Sequence, residues 1–258
     1  MTRGKGYYLL ALINHLALVY WVFFDFSLST LLIGMFIYYT LSKLGGDIGF
    51  HRHYCHGAFK TSNAWQYIML SCGTLFGAGG SSIDWAAFHS YHHYHVDNRP
   101  KDYNFRNDGA RIYYRLFNKP LKIIKHNAKH IARAMKDPKQ VFFHQNYFYI
   151  VLIYLLMISV ACYYVESINP FIGLFALPRI LSYHLSAITD IVCHKWGYQS
   201  HETGGDSRNN VFLNLISLGT AMHNNHHSHP RKYDQGGSKW YEFDLYGKFI
   251  KNFMISTK

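Results

Sequence analysis

Nineteen consecutive residues without a charge, Tyr147 to Val165, constrain the fold more than any other stretch. At about 1.5 Å of rise per residue, a helix of that length nearly matches the ~30 Å hydrocarbon core of a bilayer. Three further apolar runs obey the same rule. Tyr7 to Phe24 is interrupted only by Asn14 and His15; Asp25-Phe26-Ser27 then turns the chain into a second run from Leu28 to about Leu44. Arg3 and Lys5 precede the first run, but no small-residue cleavage site follows it, so it is expected to be a span rather than a secretory leader. After Glu166-Ser167 the fourth run extends from Ile168 to Val192 and contains Pro170, Pro178 and Arg179. An arginine inside a span must face protein, water or headgroups.

The expected architecture is therefore an all-α membrane protein, a single domain over residues 1–258. Four transmembrane helices (about 7–24, 28–44, 147–165 and 168–192) form two hairpins, and a helical cap comprises residues 45–146 and 193–258. The second span is expected to continue as a helix through Gly45-Gly46 into the cap. Trp65 to Ala78 has the composition of a short interfacial helix, and the segment with Phe249, Ile250 and Phe253 is expected on the membrane surface.

Composition agrees. Charged residues make up 16%, against roughly 25% in soluble domains, and aromatics 18%. The mean hydropathy of -0.10 averages apolar spans with basic connections. A net charge of +12 brings nucleic acid to mind, yet no nucleic-acid motif accompanies it, and none is expected as a partner. The basic stretch from Arg99 to Lys139, with Arg111, Arg115, Lys119, Lys122, Lys125, Lys129 and Arg133, suits anionic headgroups; docking an acidic electron donor is a second use for it. The hairpin tips carry Asp25 and Glu166 without lysine or arginine, which places both termini and the cap in the cytosol. Cys55, Cys72, Cys162 and Cys193 form no CxxC pair and read as reduced, buried thiols.

Three histidine clusters carry the chemistry: His51-Arg52-His53-Tyr54-Cys55-His56, His89-Ser90-Tyr91-His92-His93 and His223-Asn224-Asn225-His226-His227. Histidines at i, i+3 and i+4 fall within about 100° on a helix, so their rings converge. One such cluster is an ordinary feature of a surface; three in one chain point to metal. His51, His56, His89, His92, His93, His223, His226 and His227 exceed what one ion takes, since a catalytic ion accepts about four to six ligands and keeps a position open. Two ions follow, although imidazole suits Fe, Zn, Cu and Ni alike. A transporter would place polar groups at the span midplanes, and haem would need only two axial histidines. Asp47, Asp84 and Asp190 are candidates for orienting the imidazoles. Trp65, Trp85, Tyr91 and Trp196 are candidates for lining a substrate tunnel, against plain packing near a membrane interface.

These clusters resemble the three boxes of the membrane-bound fatty acid desaturases, especially the acyl-CoA and acyl-lipid delta-9 type that includes stearoyl-CoA desaturase. His51-Arg52 with His56 is similar to the family's HRxxxH, His89 with His92-His93 to its second box, and His223-Asn224-Asn225-His226-His227 to its HNxHH. Gly219, Asp137-Pro138 with Phe142, His144 and Tyr147, and the run Trp240-Tyr241-Glu242-Phe243-Asp244 add to the likeness. The resemblance implies two iron ions that use O2 to introduce a cis double bond into a fatty acyl chain carried as acyl-CoA or acyl-lipid. It also implies an external electron donor, a ferredoxin or a cytochrome b5-like protein, because no HPGG-type segment is present. A ninth ligand is implied at His194. Four residues before it, Asp190 stands where the family has an asparagine that holds metal through water; a carboxylate there can also bind directly. The second box reads HSYHH where many relatives have HRxHH, and Asp102-Tyr103-Asn104 replaces an aspartate-proline-histidine. The alternative is a di-iron hydroxylase or ketolase of the same superfamily, which would insert oxygen into a lipid.

Overall fold

The computed structural model describes residues 3–77, 80–98, 101–102 and 125–255. Arg99, Arg111, Arg115, Lys119 and Lys122, and the Tyr103-Asn104 pair, lie outside the described residues. In chain order the helices are α1 (Arg3–Phe24), α2 (Leu28–Cys55), α3 (Asn63–Phe76), α4 (Ser82–His95), α5 (Lys125–Ala134), α6 (Pro138–Gln145), α7 (Tyr147–Val165), α8 (Asn169–Cys193), α9 (Val211–Ser217), α10 (His223–Ser228) and α11 (245–254). Among the described residues no strand forms, only the isolated bridges Tyr198 to Asn209 and Asn209 to Met222.

Four helices, α1, α2, α7 and α8, are long and apolar enough to cross a membrane. Half of the most apolar stretch of α8 is buried inside the protein, against 11% for α1 and for α7, so α8 is the inner element and those two face outward. The two hairpin tips are tied together by polar side chains. Asp25 Oδ2 accepts from Ser167 Oγ (2.7 Å) and from Ile168 N (3.0 Å). Asn169 Oδ1 accepts from Trp21 Nε1 (2.8 Å) and Thr30 Oγ1 (2.7 Å). With no solvent to satisfy such groups between packed helices, these bonds fix the register of one hairpin against the other. Arg179 faces protein: its guanidinium donates to Thr74 O (3.1 Å), Leu75 O (2.7 Å) and Tyr147 Oη (2.9 Å).

α2 is unbroken from Leu28 to Cys55, so the expected boundary between residues 44 and 45 falls inside one continuous helix. Glycine makes that continuation possible, because α3 crosses α2 with the backbones in contact: a Cβ added at Gly45 would collide with the backbone of Gly73. Beside this crossing Ile48, Phe50, Met69, Leu70, Tyr246 and Ile250 share one core cluster. The last helix, expected on the membrane surface, packs one face into this core. Ile250 and Met254 of α11 are buried in the core cluster shared with α2 and α3, while Leu245 and Phe253 are exposed. Trp65 belongs to the same packing, its ring against Phe249 (5.9 Å between centroids) and its Nε1 donating to Phe253 O (3.1 Å).

Candidate metal centre

The first box poses a geometric problem that the local helix resolves. His51 and His56 are five residues apart, which on an α-helix of 3.6 residues per turn would set them about 140° apart. The end of α2 is wound instead with i→i+5 hydrogen bonds, Tyr38–Ser42 and again Leu44–Cys55, the bond from His56 N to His51 O (3.1 Å) among them. A π-turn nearly aligns residues i and i+5, and the two rings lie 4.9 Å apart between centroids. The second box rides on α4, whose start is fixed by a capping box: Ser81 Oγ accepts from Asp84 N (3.3 Å) while Asp84 Oδ2 accepts from Ser81 N (3.0 Å). The third box is the short α10. Its first amides would be unsatisfied, and Asn209 Oδ1 takes two of them, from Asn224 N (3.0 Å) and Asn225 N (3.2 Å). His194 directly follows α8.

These elements gather the histidines into two sets, His51, His56, His89 and His226, and His92, His194, His223 and His227; in each set one ring nitrogen from every residue lies within 4.8 Å of the others. His93 adjoins both. Its Nε2 is 2.9 Å from His89 Nε2 and 3.0 Å from His226 Nε2, and its ring stacks on His227 at 4.4 Å. Nε2 faces Nε2 at 3.0 Å in the pairs His51 with His226, His56 with His89, His194 with His223, and His223 with His227. Two nitrogens bound at ~2.1 Å to one ion at right angles are themselves about 3.0 Å apart. The spacing is that of ligands sharing an ion.

Charge state agrees with geometry. Burial, reinforced by neighbouring imidazoles, holds His56, His89, His93, His223, His226 and His227 well below the ordinary imidazole range. They are neutral, as metal ligands must be. Side chains behind the rings fix the tautomer: His51 Nδ1 donates to Asp47 Oδ1 (3.1 Å), His92 Nδ1 to Asp102 Oδ1 (3.0 Å) and His194 Nδ1 to Asp97 Oδ2 (3.1 Å). A carboxylate only accepts, so the hydrogen sits on Nδ1 and the Nε2 lone pair points inward. Behind them runs a longer network. Arg52, 1% exposed, donates to Asp47 Oδ2 (2.9 Å) and to Asp244, whose Oδ2 accepts from Gln235 N (2.8 Å); the Gln235 side-chain amide lies 3.2 Å from His226 Nδ1. The first and third boxes are thus joined by one buried chain of hydrogen bonds.

Of the acids named from sequence, Asp47 meets an imidazole of the clusters. Asp84 does not: its carboxylate is taken by the α4 cap, by Tyr7 Oη (2.9 Å) and by His144 Nδ1 (3.6 Å), so it orients the helix rather than a ligand. Asp190 lines a cavity of about 90 Å³ beside His51, His89 and His223, outside both four-histidine sets. Trp85 lines the same cavity, its ring 4.4 Å from His89. Tyr91 and Trp196 are not among its lining residues. Tyr91 is buried against His95 (4.6 Å), while Trp196 is 53% exposed with the Lys195 ammonium 4.7 Å from its ring. Arg52, Asp97, Asp102, Gln235 and Asp244 were not singled out as supports. Arg52 inside the first box, Asp102 after the second and Asp244 in the Trp240–Asp244 run are the signals the sequence holds for them.

An all-helical chain with four candidate spans and two histidine sets able to hold metal ions defines a class of membrane metalloprotein. Within that class the profile of the fatty acid desaturase family matches residues 26–254, and the chain belongs to that family. It is 26% identical over 232 residues to the delta-9 acyl-lipid desaturase 2 of Arabidopsis thaliana, covering 90% of this chain and 74% of that protein. With the sn-1 stearoyl-lipid 9-desaturase of Synechocystis sp. the identity is 29% over 231 residues, 88% of this chain and 69% of the other. The icosanoyl-CoA 5-desaturase of Limnanthes douglasii is 28% identical over 224 residues, 85% of this chain and 60% of its own length.

Proposed function

We propose that the protein is a di-iron, O2-dependent desaturase that introduces a cis double bond, of delta-9 type, into a fatty acyl chain carried as acyl-lipid or acyl-CoA. Electrons come from a separate ferredoxin or cytochrome b5-like donor. The observation that carries the proposal is the pair of four-histidine sets, with His93 between them, in a chain of the desaturase family. The donor set fits iron: neutral imidazoles with their lone pairs inward, carboxylates behind the rings, and no thiolate among the clusters. His51, His56, His89, His92, His93, His194, His223, His226 and His227 would hold the two ions, with Asp190 at the cavity edge as a direct or water-mediated ligand. Bound there, iron supplies the dioxygen chemistry needed to remove hydrogens from an unactivated methylene pair.

What the chain itself does is positional. Asp47, Asp97 and Asp102 keep Nδ1 protonated on the rings they touch, so that each lone pair stays on the inward nitrogen. The Arg52 network holds two boxes in fixed relation. The histidines sit at the ends of the spans opposite the Asp25 and Glu166 tips, which supports a cytosolic site with both termini on that side.

The test is expression in a host unable to make unsaturated lipids, followed by mass spectrometry of the acyl chains. The proposal expects loss of two hydrogens and a new double bond, abolished by alanine at His89, His93, His223 or His227 with membrane insertion unchanged. Gain of one oxygen would make the protein a hydroxylase instead. At Asp190, asparagine is expected to retain more product than leucine; equal activity of the two would remove Asp190 from the site.

A further inference from the structure

The helix just before the third box is turned inside out. A helix lying against water buries its apolar side chains and presents polar ones. In α9 the outward positions i, i+3 and i+4 are Phe212, Leu215 and Ile216, 83%, 56% and 51% exposed, while the buried positions include Asn214 and Ser217. Those two polar groups serve the protein: Asn214 Nδ2 donates to Phe243 O (2.9 Å), and Ser217 Oγ accepts from Ala221 N (3.1 Å). Three large apolar side chains together on an outer face mark a contact with another protein or with a membrane.

Depth decides between the two. Both ends of α9 are tied to the ends of spans opposite the Asp25 and Glu166 tips. At its start Asn210, whose Oδ1 caps the helix by accepting from Leu213 N (2.9 Å), donates from Nδ2 to Trp196 O (3.2 Å), three residues beyond α8. Leu213 packs there in one cluster with Val192 and Cys193 of α8. At its finish Leu218 O accepts from Leu245 N (3.0 Å), and the neighbouring Tyr246 Oη donates to Tyr39 O (3.2 Å) on α2. Two residues past Leu218, Thr220 Oγ1 accepts from the Lys43 ammonium (3.3 Å). Tyr39 and Lys43 lie where the apolar run of α2 ends. α9 therefore bridges the ends of α2 and α8 at the height where those spans leave the hydrocarbon. Trp196, with the Lys195 ammonium 4.7 Å from its ring, marks the same height, since tryptophan and lysine gather at the headgroups. Leu245, bonded to Leu218, is exposed as well.

We propose that α9 is an interfacial foot of the cap, with Phe212, Leu215 and Ile216 among the acyl chains of the leaflet on the histidine side and Lys195 and Trp196 at its headgroups. Lipid is the occupant of this face. α9 runs through residues 218–222 into α10, and Asn209, next to its cap, takes two of the first amides of the third box. The foot thus sets the height of that box relative to the bilayer. Lipid contact of this kind depends on the spans alone, whatever reaction the centre performs.

The test places a reporter on the face. Ile216→Cys, and for comparison Ser238→Cys on an exposed cap loop, are each labelled with a thiol-reactive NBD dye in Cys162→Ser protein, the other native thiols being buried, and the full chain is reconstituted in phosphatidylcholine nanodiscs. The dye at position 216 is expected to be quenched several-fold more strongly by doxyl-labelled phosphatidylcholine than the dye at position 238, and several-fold less by iodide in the water. Equal iodide quenching at the two positions would put α9 in water. Shielding of position 216 from both quenchers would give the face to protein, a second copy of this chain included. Either result overturns the proposal. Ile216→Glu is expected to lower the melting temperature in nanodiscs while Ser238→Glu leaves it unchanged. An unchanged or higher melting temperature for Ile216→Glu, the normal outcome at a water-facing helix position, would contradict it as well.

Discussion

Asp102 and Asp84 are both acids beside the second box, and they have different duties. Asp102 takes the Nδ1 hydrogen of His92, whereas Asp84 caps the helix that carries it. Asp102→Ala is therefore expected to weaken metal binding about 10- to 100-fold, the usual consequence of removing a carboxylate behind a ligating histidine. Asp84→Ala should cost about 1 kcal/mol of stability through the lost cap and leave affinity nearly unchanged. Iron titration and thermal unfolding of the two variants check this. The buried histidines also set a pH dependence. Their affinity for protons is lower in the fold than in the unfolded chain, so the neutral rings stabilise the fold above the ordinary imidazole range near ~6.5, and that contribution is lost as pH falls. Unfolding of the metal-free protein between about pH 8 and pH 5 should show a steady loss of stability on the acid side. A flat profile would mean that the rings are charged or exposed.

At the scale of elements, the spans were legible because each is a long run with almost no charge, a pattern that few other structures use. The winding at the end of α2 was not. The i, i+5 spacing of His51 and His56 hints at it, but no composition rule marks a π-turn; within that winding α3 crosses so closely that Gly45 meets the backbone of Gly73. Gly45→Val is expected to destabilise the protein by about 1–3 kcal/mol through overpacking and to displace the first box. Gly46→Ala, which meets no atom within 4 Å, should be near neutral. Unfolding curves and iron content of the two variants separate a packing role from general intolerance in this helix. The last helix shows the opposite limit of pattern reading: an amphipathic pattern fits a membrane surface or a protein core equally well, and the fold puts Ile250 and Met254 in one cluster with Ile48 and Met69 while Phe253 stays exposed.

For the whole molecule, the boxes were legible because histidine spacing is local, while the groups that hold them were not, because their contacts are distant. Arg52 and Asp244 meet across 192 positions, and His194 reaches Asp97 across 97. Nothing in the periodicity of either segment announces the partner. The fold makes these contacts by bringing the ends of α2, α4 and α8 together at one side of the spans, so that ligands from distant parts of the chain converge where no single segment supplies a site. Metal content per chain tests this convergence most directly. Iron analysis of the purified protein, with X-ray absorption to identify the coordinating atoms, is expected to give two irons per chain in a nitrogen-dominated environment. One iron or none after loading, or a sulfur-rich shell, would contradict it.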